Sequence, residues 1–388
     1  MKICVINNLY KPFNRGGAEK VMETIIAGLR DAGHKVFIIT TNPRFGNFKL
    51  ENENLDIYHI NSSYYNLNKF SNYSKFFWHI LDVFNFVSYF KIKKILRSER
   101  CDAVITNNLM GVGFLTPMAV GSLKIKHLHI VHDIQLIHPS GLMYYGEEGI
   151  IDNFFAKLYS NVCRRLFAGT PAVIFPSRWL KDFYLKRNFF AQSKIQVLPN
   201  PVESALAQAG ERPGNFKFLF LGQIEKHKGI FLLINAFNRL KEKYPEVELL
   251  IAGDGSQLER AHKLAAENEN IKFLGWLGGE AAAESLNSSH CLVYPSLVYE
   301  NCPNAIQRAI VAGLPVLASD LGGIPELLNK NTGKLFKPAD EKDLVEKMSW
   351  MIENRNNLNN LGEAGQRQVA VFKTENYIKV LIDYFLNI

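Results

Sequence analysis

Residues 294–326 read YPSLVYENCPNAIQRAIVAGLPVLASDLGGIPE and contain the clearest structural pattern in the chain. The apolar residues up to Tyr294 predict a buried strand, and a short loop containing Glu300 follows it. Pro303 suits the first turn of a helix, where its missing N–H group costs nothing. Gly313 ends that helix, and the apolar run behind it predicts a second buried strand. A strand, loop, helix and strand in this order are typical of a parallel α/β sheet.

The predicted helix also carries the strongest chemical signal. The N–H groups of Cys302, Asn304 and Ala305 fall at its N-terminus, where the helix dipole and the N–H groups attract a phosphate or diphosphate. Glu300 lies just before this N-terminus and can accept hydrogen bonds from sugar hydroxyls. The loop and the helix therefore predict an anion site with a carboxylate beside it.

The same alternation of apolar runs and helical patterns continues along the whole chain. Strands are predicted at 2–7, 35–41, 55–60, 103–106, 125–131, 172–175 and 194–198, and then at 217–221, 247–252, 270–273, 291–294 and 315–318. This order predicts an α/β protein with two doubly wound, mostly parallel sheets. Three prolines at 199–213 place the domain boundary there, between domains at 1–200 and 201–372. A C-terminal helix at about 373–388 is expected to pack back on the first domain.

Composition excludes several classes of protein. The chain has 388 residues, of which 47% are hydrophobic and 12% aromatic, so it can bury a full core. Its five cysteines are widely spaced and form no C-x-x-C pair, which argues against zinc fingers and disulfide frameworks and favours a reducing cytosol. Neither a signal peptide in MKICVINNLY nor a long uncharged apolar run is found, so no membrane span is expected.

Charge differs between the two halves. The net charge of +8 divides into +11 for residues 1–200 and −3 for residues 201–388. A basic half can serve an anionic lipid surface, an anionic acceptor or nucleic acid, or can simply be a solvated surface. Nucleic acid is not expected, because the basic residues are dispersed and no nucleic-acid motif accompanies them.

Two other segments combine strand ends with candidate ligand groups. In FLFLGQIEKHKG (218–229) a strand leads into a loop with Gln223 and Lys228, and this lysine can donate to diphosphate oxygens. In NRGGAEK (14–20), Gly16 and Gly17 allow the backbone to approach a ligand closely. This segment lacks G-x-G-x-x-G, so it does not predict a dinucleotide site, and a tight turn alone is the alternative.

Together these segments resemble the retaining nucleotide-sugar glycosyltransferases of family 4, in the glycosyl transferases group 1. The resemblance extends over essentially the whole chain, and no single motif carries it. The matching pieces are GGAE at 16–19, His132-Asp133, VLPNPV at 197–202, Gly222 with Lys228-Gly229, GDG at 253–255, FLG at 273–275 and the residues from 295 to 326. The resemblance implies a GT-B fold, in which two Rossmann-like domains face each other across a cleft.

The resemblance also implies roles for individual residues. The domain at 201–372 would bind the donor, with Lys228 on its diphosphate and Glu300 on its sugar. Gln223 stands where the family usually has Arg, and it can still donate a hydrogen bond. His132 matches a histidine that lines the donor-sugar pocket. Gly16 and Gly17 match a loop beside the donor phosphate and the acceptor.

One departure from the family pattern matters most. The second carboxylate of the E-x7-E motif should lie eight residues after Glu300, but this position is Arg308. Arginine cannot accept hydrogen bonds from ribose hydroxyls. Gln307 does not replace the carboxylate, because it points about 100° away on a helix. Either nucleotide recognition is altered or the site is impaired.

Three functions follow from these observations. The first is a metal-independent hexosyltransferase that uses a UDP or GDP sugar, without a cofactor, in the synthesis of polysaccharide, lipopolysaccharide or glycolipid for the cell envelope. The second is a GT-B nucleotide-sugar epimerase, and the third is a non-catalytic nucleotide-sugar-binding scaffold or sensor. No metal site is expected, since neither D-x-D nor H-E-x-x-H occurs. The expected location is the cytoplasm, in peripheral contact with the inner face of the membrane.

Residues 75–96 (KFFWHILDVFNFVSYFKIKKIL) leave only a narrow polar stripe if they form a helix. One interpretation is a helix that is buried on most sides in the first domain. The other is an element that dips into an anionic membrane, with Lys91, Lys93 and Lys94 beside the lipid.

Overall fold

A computed structural model describes residues 1–13, 16–43, 55–202, 212, 214–328 and 332–387. Within these residues all the strands pair in parallel. The strands are β1 (Lys2–Ile6), β2 (Lys35–Pro43), β3 (Asp56–Ser62), β4 (Ala103–Thr106), β5 (Lys126–Ile130), β6 (Ala172–Phe175), β7 (Lys194–Val197), β8 (Lys217–Leu221), β9 (Glu248–Ala252), β10 (Ile271–Gly275), β11 (Cys291–Tyr294), β12 (Val316–Ser319) and β13 (Gly333–Phe336).

Helices connect these strands. They are α1 (Gly17–Asp31), α2 (Asn72–Val83), α3 (Phe86–Glu99), α4 (Thr116–Gly121), α5 (Phe154–Phe167), α6 (Arg178–Leu185), α7 (Ile230–Lys243), α8 (Leu258–Ala265), α9 (Gly279–Ser288), α10 (Asn304–Val311), α11 (Ile324–Leu327), α12 (Glu341–Glu353), α13 (Leu358–Gln366) and α14 (Thr374–Leu386). Short 3₁₀ turns lie at Tyr64–Lys69, Glu148–Asp152, Lys226–Lys228, Arg355–Asn357 and Val369–Phe372. Within the described ranges, no helix has the combined length and apolarity that a bilayer-crossing segment needs.

The chain divides into two compact units. The first contains Met1–Gly141, Gly149–Pro201 and Thr374–Ile388, and the second contains Leu142–Glu148 and Val202–Lys373. Leu142–Glu148 thus belongs to the second unit, although the predicted boundary assigns it to the first domain. It leaves the first unit because its backbone pairs with residues 297–299.

Each unit contains one doubly wound sheet, as the sequence predicts. The strand order is β3-β2-β1-β4-β5-β6-β7 in the first unit and β10-β9-β8-β11-β12-β13 in the second. The chain therefore reverses its direction of travel between β1 and β4, and again between β8 and β11. In open parallel sheets, ligands bind at such reversal points, beyond the carboxyl ends of the strands.

Most strands have continuous apolar sequences because helices cover both faces of each sheet. In β8, Phe218 and Phe220 pack into one core of the second unit, whereas Leu219 and Leu221 pack into the core on the opposite face. The prediction missed β13, since its sequence GKLF begins with a glycine and a lysine and lacks an apolar run.

Residues 75–96 do not form the single, mostly buried helix that one interpretation predicts. They form α2 and α3, with a break at Phe84 and Asn85. The Asn85 side chain accepts a hydrogen bond from the N–H group of Ser88 at 2.9 Å, and so caps the new helix. Many of the apolar side chains on these two helices are exposed.

The last helix, α14, completes the core of the first unit. Tyr377, Ile378, Leu381 and Phe385 are buried against a cluster that includes Ile25 of α1. The two helices approach closely at Gly28, where an added Cβ would lie 2.8 Å from the Cγ1 atom of Ile378. The first unit therefore depends on residues that follow the second unit in the chain.

We expect Leu381→Ala to destabilise the first unit by about 2–5 kcal/mol, because it leaves a cavity in a packed core. Leu381 is 0% exposed, whereas Leu386 on the same helix is 62% exposed, so Leu386→Ala is the matched control. Urea unfolding measures both effects. Equal, small losses in the two variants would show that α14 does not stabilise this core.

Candidate active site

The loops that follow β8 and β11 meet at the reversal point of the second sheet. Lys228 lies in the 3₁₀ turn after β8, and Glu300 lies in the loop after β11. The Nζ atom of Lys228 is 2.6 Å from Oε1 of Glu300, and the two side chains are 19% and 18% exposed. Two residues that the sequence singles out separately thus form one ion pair at a partly open surface.

Two hydroxyl groups donate hydrogen bonds to the Glu300 carboxylate. Tyr294 donates to Oε1 at 3.1 Å and Ser296 donates to the same atom at 3.3 Å. Lys228 also lies 3.4 Å from the Tyr294 hydroxyl. In the described part of the chain, every donor to this carboxylate binds Oε1, so the lone pairs of Oε2 can accept other hydrogen bonds.

Both members of the ion pair are charged at neutral pH. Burial alone would lower the pKa of Lys228 and raise the pKa of Glu300. Their mutual attraction outweighs burial, so the pKa of Lys228 lies above its ordinary value and that of Glu300 lies below. Burial, followed by the Glu300 charge, raises the pKa of Tyr294, so its hydroxyl stays protonated and can donate.

Two glycines allow the backbone to close around this pair. Gly229 has φ of 75°, and an added Cβ would lie 1.8 Å from the carbonyl oxygen of Pro295. Gly322 has φ of 65°, and a Cβ there would lie 2.3 Å from the Glu300 carbonyl oxygen. The same oxygen accepts a hydrogen bond from the N–H group of Gly323 at 2.7 Å. Larger residues at these positions would push the Glu300 loop away.

Pro303 precedes the helix after Glu300 and does not lie in its first turn, where the sequence predicts it. Pro303 is the N-cap residue, with φ of −65° and ψ of 122°, and α10 begins at Asn304. The N–H group of Gln307 donates the first bond of the helix, to the Pro303 carbonyl at 3.2 Å. The N–H groups of Asn304 and Ala305 precede that bond, as those of an anion-binding helix end do.

The other donor-side residues vary in exposure. Asn304, Ala305 and Arg308 are partly exposed and share one face of α10, whereas Gln307 is fully buried and points elsewhere. Cys302 is buried just before the helix, and Gln223 is exposed on the loop that also carries Lys228. Arg308 thus extends the positive face of this helix end.

The segment Leu142–Glu148 pairs with the Glu300 loop through backbone hydrogen bonds. Tyr144 forms an antiparallel bridge with Val298. The Tyr299 hydroxyl donates to Oε1 of Glu148 at 2.7 Å. The sequence gives no signal for this pairing, because it is irregular and joins residues about 150 positions apart.

In the first unit, His132 and Asp133 follow β5. Both are partly exposed, and they line a cavity of about 20 Å³ together with Asn107, which has room for about one water molecule. Burial lowers the pKa of His132 to about 4, so its imidazole is neutral at pH 7. Burial raises the pKa of Asp133 to about 6, although a hydrogen bond from the N–H group of Gln135 opposes the shift.

Asn107 is a further polar residue that the sequence analysis did not select. Its side chain donates to Oδ1 of Asn7 at 3.2 Å, and both residues are buried where β1 and β4 end. The sequence contains a pattern that indicates this residue, because ICVINN at 3–8 and AVITNN at 103–108 each carry an Asn-Asn pair directly after a strand.

Gly16 and Gly17 lie at the start of α1. Gly16 is the N-cap residue with φ of −149°, an extended conformation that any residue adopts, and Gly17 is the first helical residue. Backbone conformation therefore does not require a glycine at position 16. An added Cβ there would lie 3.1 Å from a carboxylate oxygen of Glu19, which is a tight contact.

Metal-binding side chains do not cluster among the residues that the structure describes. Among the residues that the coordinates describe, no three His, Cys, Asp or Glu side chains come close enough together to hold a metal ion.

Comparisons with known proteins assign the chain to a family. The sequence model for Glycosyltransferase Family 4 matches residues 15–206, and that for Glycosyl transferases group 1 matches residues 202–368. The chain therefore belongs to this family of glycosyltransferases and has the GT-B fold, as the sequence motifs indicate.

One sequence relative and two solved structures illustrate the similarity. An uncharacterised 42.6 kDa protein in the cps region of Klebsiella pneumoniae is 25% identical over 332 residues, covering 84% of this chain and 87% of the relative. Sucrose-phosphate synthase from Thermosynechococcus elongatus superposes with a TM-score of 0.78 at 19% identity, covering 100% of this chain and 98% of the other. Anabaena HepE in complex with UDP gives 0.76 at 18% identity, with both chains covered completely.

We expect Gly229→Ala to destabilise the second unit by at least about 3 kcal/mol, because left-handed strain and a backbone clash add together. Gly275 is the matched control, since its φ is 68° and an added Cβ meets no atom within 4 Å among the described residues. Gly275→Ala should cost only about 1–2 kcal/mol. Chemical denaturation compares the two, and similar losses would contradict the close packing of Gly229 on Pro295.

Proposed function

We propose that this glycosyltransferase transfers a hexose from a nucleotide-diphosphate sugar to a glycan or lipid-linked acceptor, with retention of the anomeric configuration. The Lys228–Glu300 ion pair carries the proposal, because it lies at the reversal point of the second sheet, just before the N-terminus of α10. The family resemblance implies assembly of cell-envelope polysaccharide, lipopolysaccharide or glycolipid as the setting.

In this proposal the diphosphate is bound by Lys228 and by the N–H groups of Cys302, Asn304 and Ala305. Arg308 adds positive charge on the same helix face, and Gln223 adds a neutral donor. These groups would stabilise the charge that develops on the departing nucleotide diphosphate, which we take as the main catalytic contribution. They supply the positive charge that a metal ion provides in other transferases, so we propose a reaction without metal or cofactor.

Glu300 would orient the donor sugar. Its Oε1 atom is held by three donors, which directs Oε2 toward a sugar hydroxyl. The Lys228 charge and the hydrogen bonds lower the pKa of Glu300, so its carboxylate stays ionised and can accept hydrogen bonds from the sugar. A same-face transfer without a covalent sugar–enzyme intermediate is the mechanism that the family resemblance implies.

The first unit contributes the roles that the family resemblance implies. His132 would line the donor-sugar pocket, and Gly16 and Gly17 would border the phosphate and the acceptor. At neutral pH the uncharged His132 imidazole can both donate and accept a hydrogen bond.

UDP is the first nucleotide to test, because Anabaena HepE binds it in a structure that resembles this chain; GDP is the second. We expect isothermal titration calorimetry to detect diphosphate binding that persists in EDTA and does not require Mg²⁺. Lys228→Met should weaken binding by about tenfold to a hundredfold, because it removes a charge-assisted hydrogen bond.

Lys226→Met is the matched control, since Lys226 is an exposed lysine in the same 3₁₀ turn. Its affinity for UDP or GDP should remain near that of the unmodified protein. If both lysine variants bind equally well, Lys228 does not hold the diphosphate. If binding needs Mg²⁺, the metal-independent part of the proposal fails.

Arg308 and Gln223 motivate a second candidate, a nucleotide-sugar-binding protein without turnover. Release of UDP from UDP-sugars, measured with and without a glycan or lipid-linked acceptor, separates the two functions. Turnover by the unmodified chain supports the transferase. Binding without turnover, together with activity gained in Arg308→Glu, would support the non-catalytic candidate.

A further inference from the structure

The most apolar face of α2 is turned away from the core. Its large side chains are between 43% and 84% exposed, namely Tyr73, Phe76, Phe77, Ile80, Leu81 and, at the end of the helix, Phe84. They recur at intervals of three and four residues and so share one face. The buried side of the helix carries Asp82, which accepts a hydrogen bond from the N–H group of Gly111 at 2.9 Å. This reverses the usual orientation of an amphipathic helix, whose apolar face packs inward.

Rings from α2 and α5 form one continuous exposed patch. The ring centroids of Phe77 and Phe76 are 5.8 Å apart, those of Phe76 and Phe155 are 6.5 Å apart, and those of Phe155 and Phe154 are 5.7 Å apart. The four side chains are between 51% and 76% exposed. We call these four rings, with the exposed face of α2, the aromatic surface.

Helix α3 also exposes aromatic side chains, and it adds positive charge. Phe86 and Phe90 are 60% and 65% exposed, and Lys94 and Arg97 follow one and two turns later on the same face. The exposed aromatic rings on the three helices present on the order of 900 Å². The four rings in mutual contact alone present on the order of 500 Å², near the upper end of what typical monomers leave exposed in one patch.

The charges on these helices are nearly all positive. Exposed basic residues are Lys91, Lys94, Arg97, Lys157 and Arg165. The helices α2, α3 and α5 contain two acidic residues in their sequences, Asp82 and Glu99. Asp82 is buried, and Glu99 bonds to Lys2 and Tyr58. The surface thus offers aromatic and cationic groups with little compensating negative charge.

We propose that the aromatic surface docks on an anionic lipid bilayer, with its rings among the headgroups and the basic residues on lipid phosphates. Aromatic rings and lysine or arginine side chains are the groups that bind this interface. A second copy of the chain is a poorer partner, because a two-fold contact would bring the same basic residues together.

The surface is tied to the first unit's candidate site residues through α5. The Tyr159 hydroxyl, on the inner side of α5, donates to the carbonyl oxygen of Gln135 at 2.9 Å, three residues after His132. A bilayer on the outer side of α5 would therefore lie near this loop. This position of the bilayer favours a lipid-linked acceptor over a free glycan, an inference that rests on the proposed function.

The direct test is flotation of the full chain with two kinds of vesicle, one of pure phosphatidylcholine and one half phosphatidylglycerol. We expect binding to the anionic vesicles and on the order of tenfold weaker binding by Phe77→Ser/Phe154→Ser. Trp276→Ser is the matched control, because Trp276 is an aromatic residue of the second unit with 76% exposure. This control should bind as the unmodified chain does.

Variants that remove positive charge test the electrostatic part of the membrane-binding proposal. Lys94→Gln/Arg97→Gln should weaken binding to the anionic vesicles at low salt, and high salt should reduce the difference. Lys263→Gln/Lys342→Gln, at two exposed lysines of the second unit, removes the same charge and should have no effect. Circular dichroism of each variant checks that the fold is retained.

Absence of binding to anionic vesicles by the unmodified, folded chain would overturn the proposal. Equal losses in the Phe77→Ser/Phe154→Ser and Trp276→Ser variants would do the same. Sedimentation that shows a concentration-dependent dimer, abolished by the phenylalanine changes while lipid binding is absent, would assign the surface to self-association. These measurements need neither donor nor turnover, so their failure is separate from failure of the proposed function.

Discussion

The ion pair between Lys228 and Glu300 joins two loops that are 72 residues apart in sequence. Two glycines of the second unit allow the backbone to pack closely around this contact. Gly229 allows the first loop to touch Pro295, and Gly322 allows a later turn to touch the Glu300 backbone. A cation and two hydroxyl groups stabilise the charged form of this mostly buried carboxylate. The same arrangement leaves one carboxylate oxygen for a ligand.

Both sheets contain a reversal of the chain direction, but the residues that collect there differ between the two units. In each sheet the chain reverses between two neighbouring strands, and polar residues collect where those strands end. In the second unit these are charged residues, Lys228 and Glu300. In the first unit they are the neutral amides of Asn7 and Asn107, while burial keeps His132 uncharged. The buried ion pair thus lies in the unit that we propose to hold the diphosphate.

Local patterns predicted much of the fold, whereas distant contacts could not be predicted. Strands β8 and β11 begin and end where the apolar runs indicate. The break at Asn85 was missed, because the apolar pattern continues across it and only the capping asparagine interrupts the helix. The candidate site depended on motif resemblance for Lys228 and Glu300. The pairing of Tyr144 with Val298 left no local signal, because residues far apart in the chain provide it.

A double-mutant cycle tests the ion pair most directly. The rate of UDP-sugar turnover would be measured in the unmodified protein, in Lys228→Met, in Glu300→Gln and in the variant with both changes. Groups that act as one unit lose their function together, so the double variant should be about as slow as the slower single variant. If the two rate losses instead multiply, Lys228 and Glu300 act independently, and the central role of their contact is contradicted.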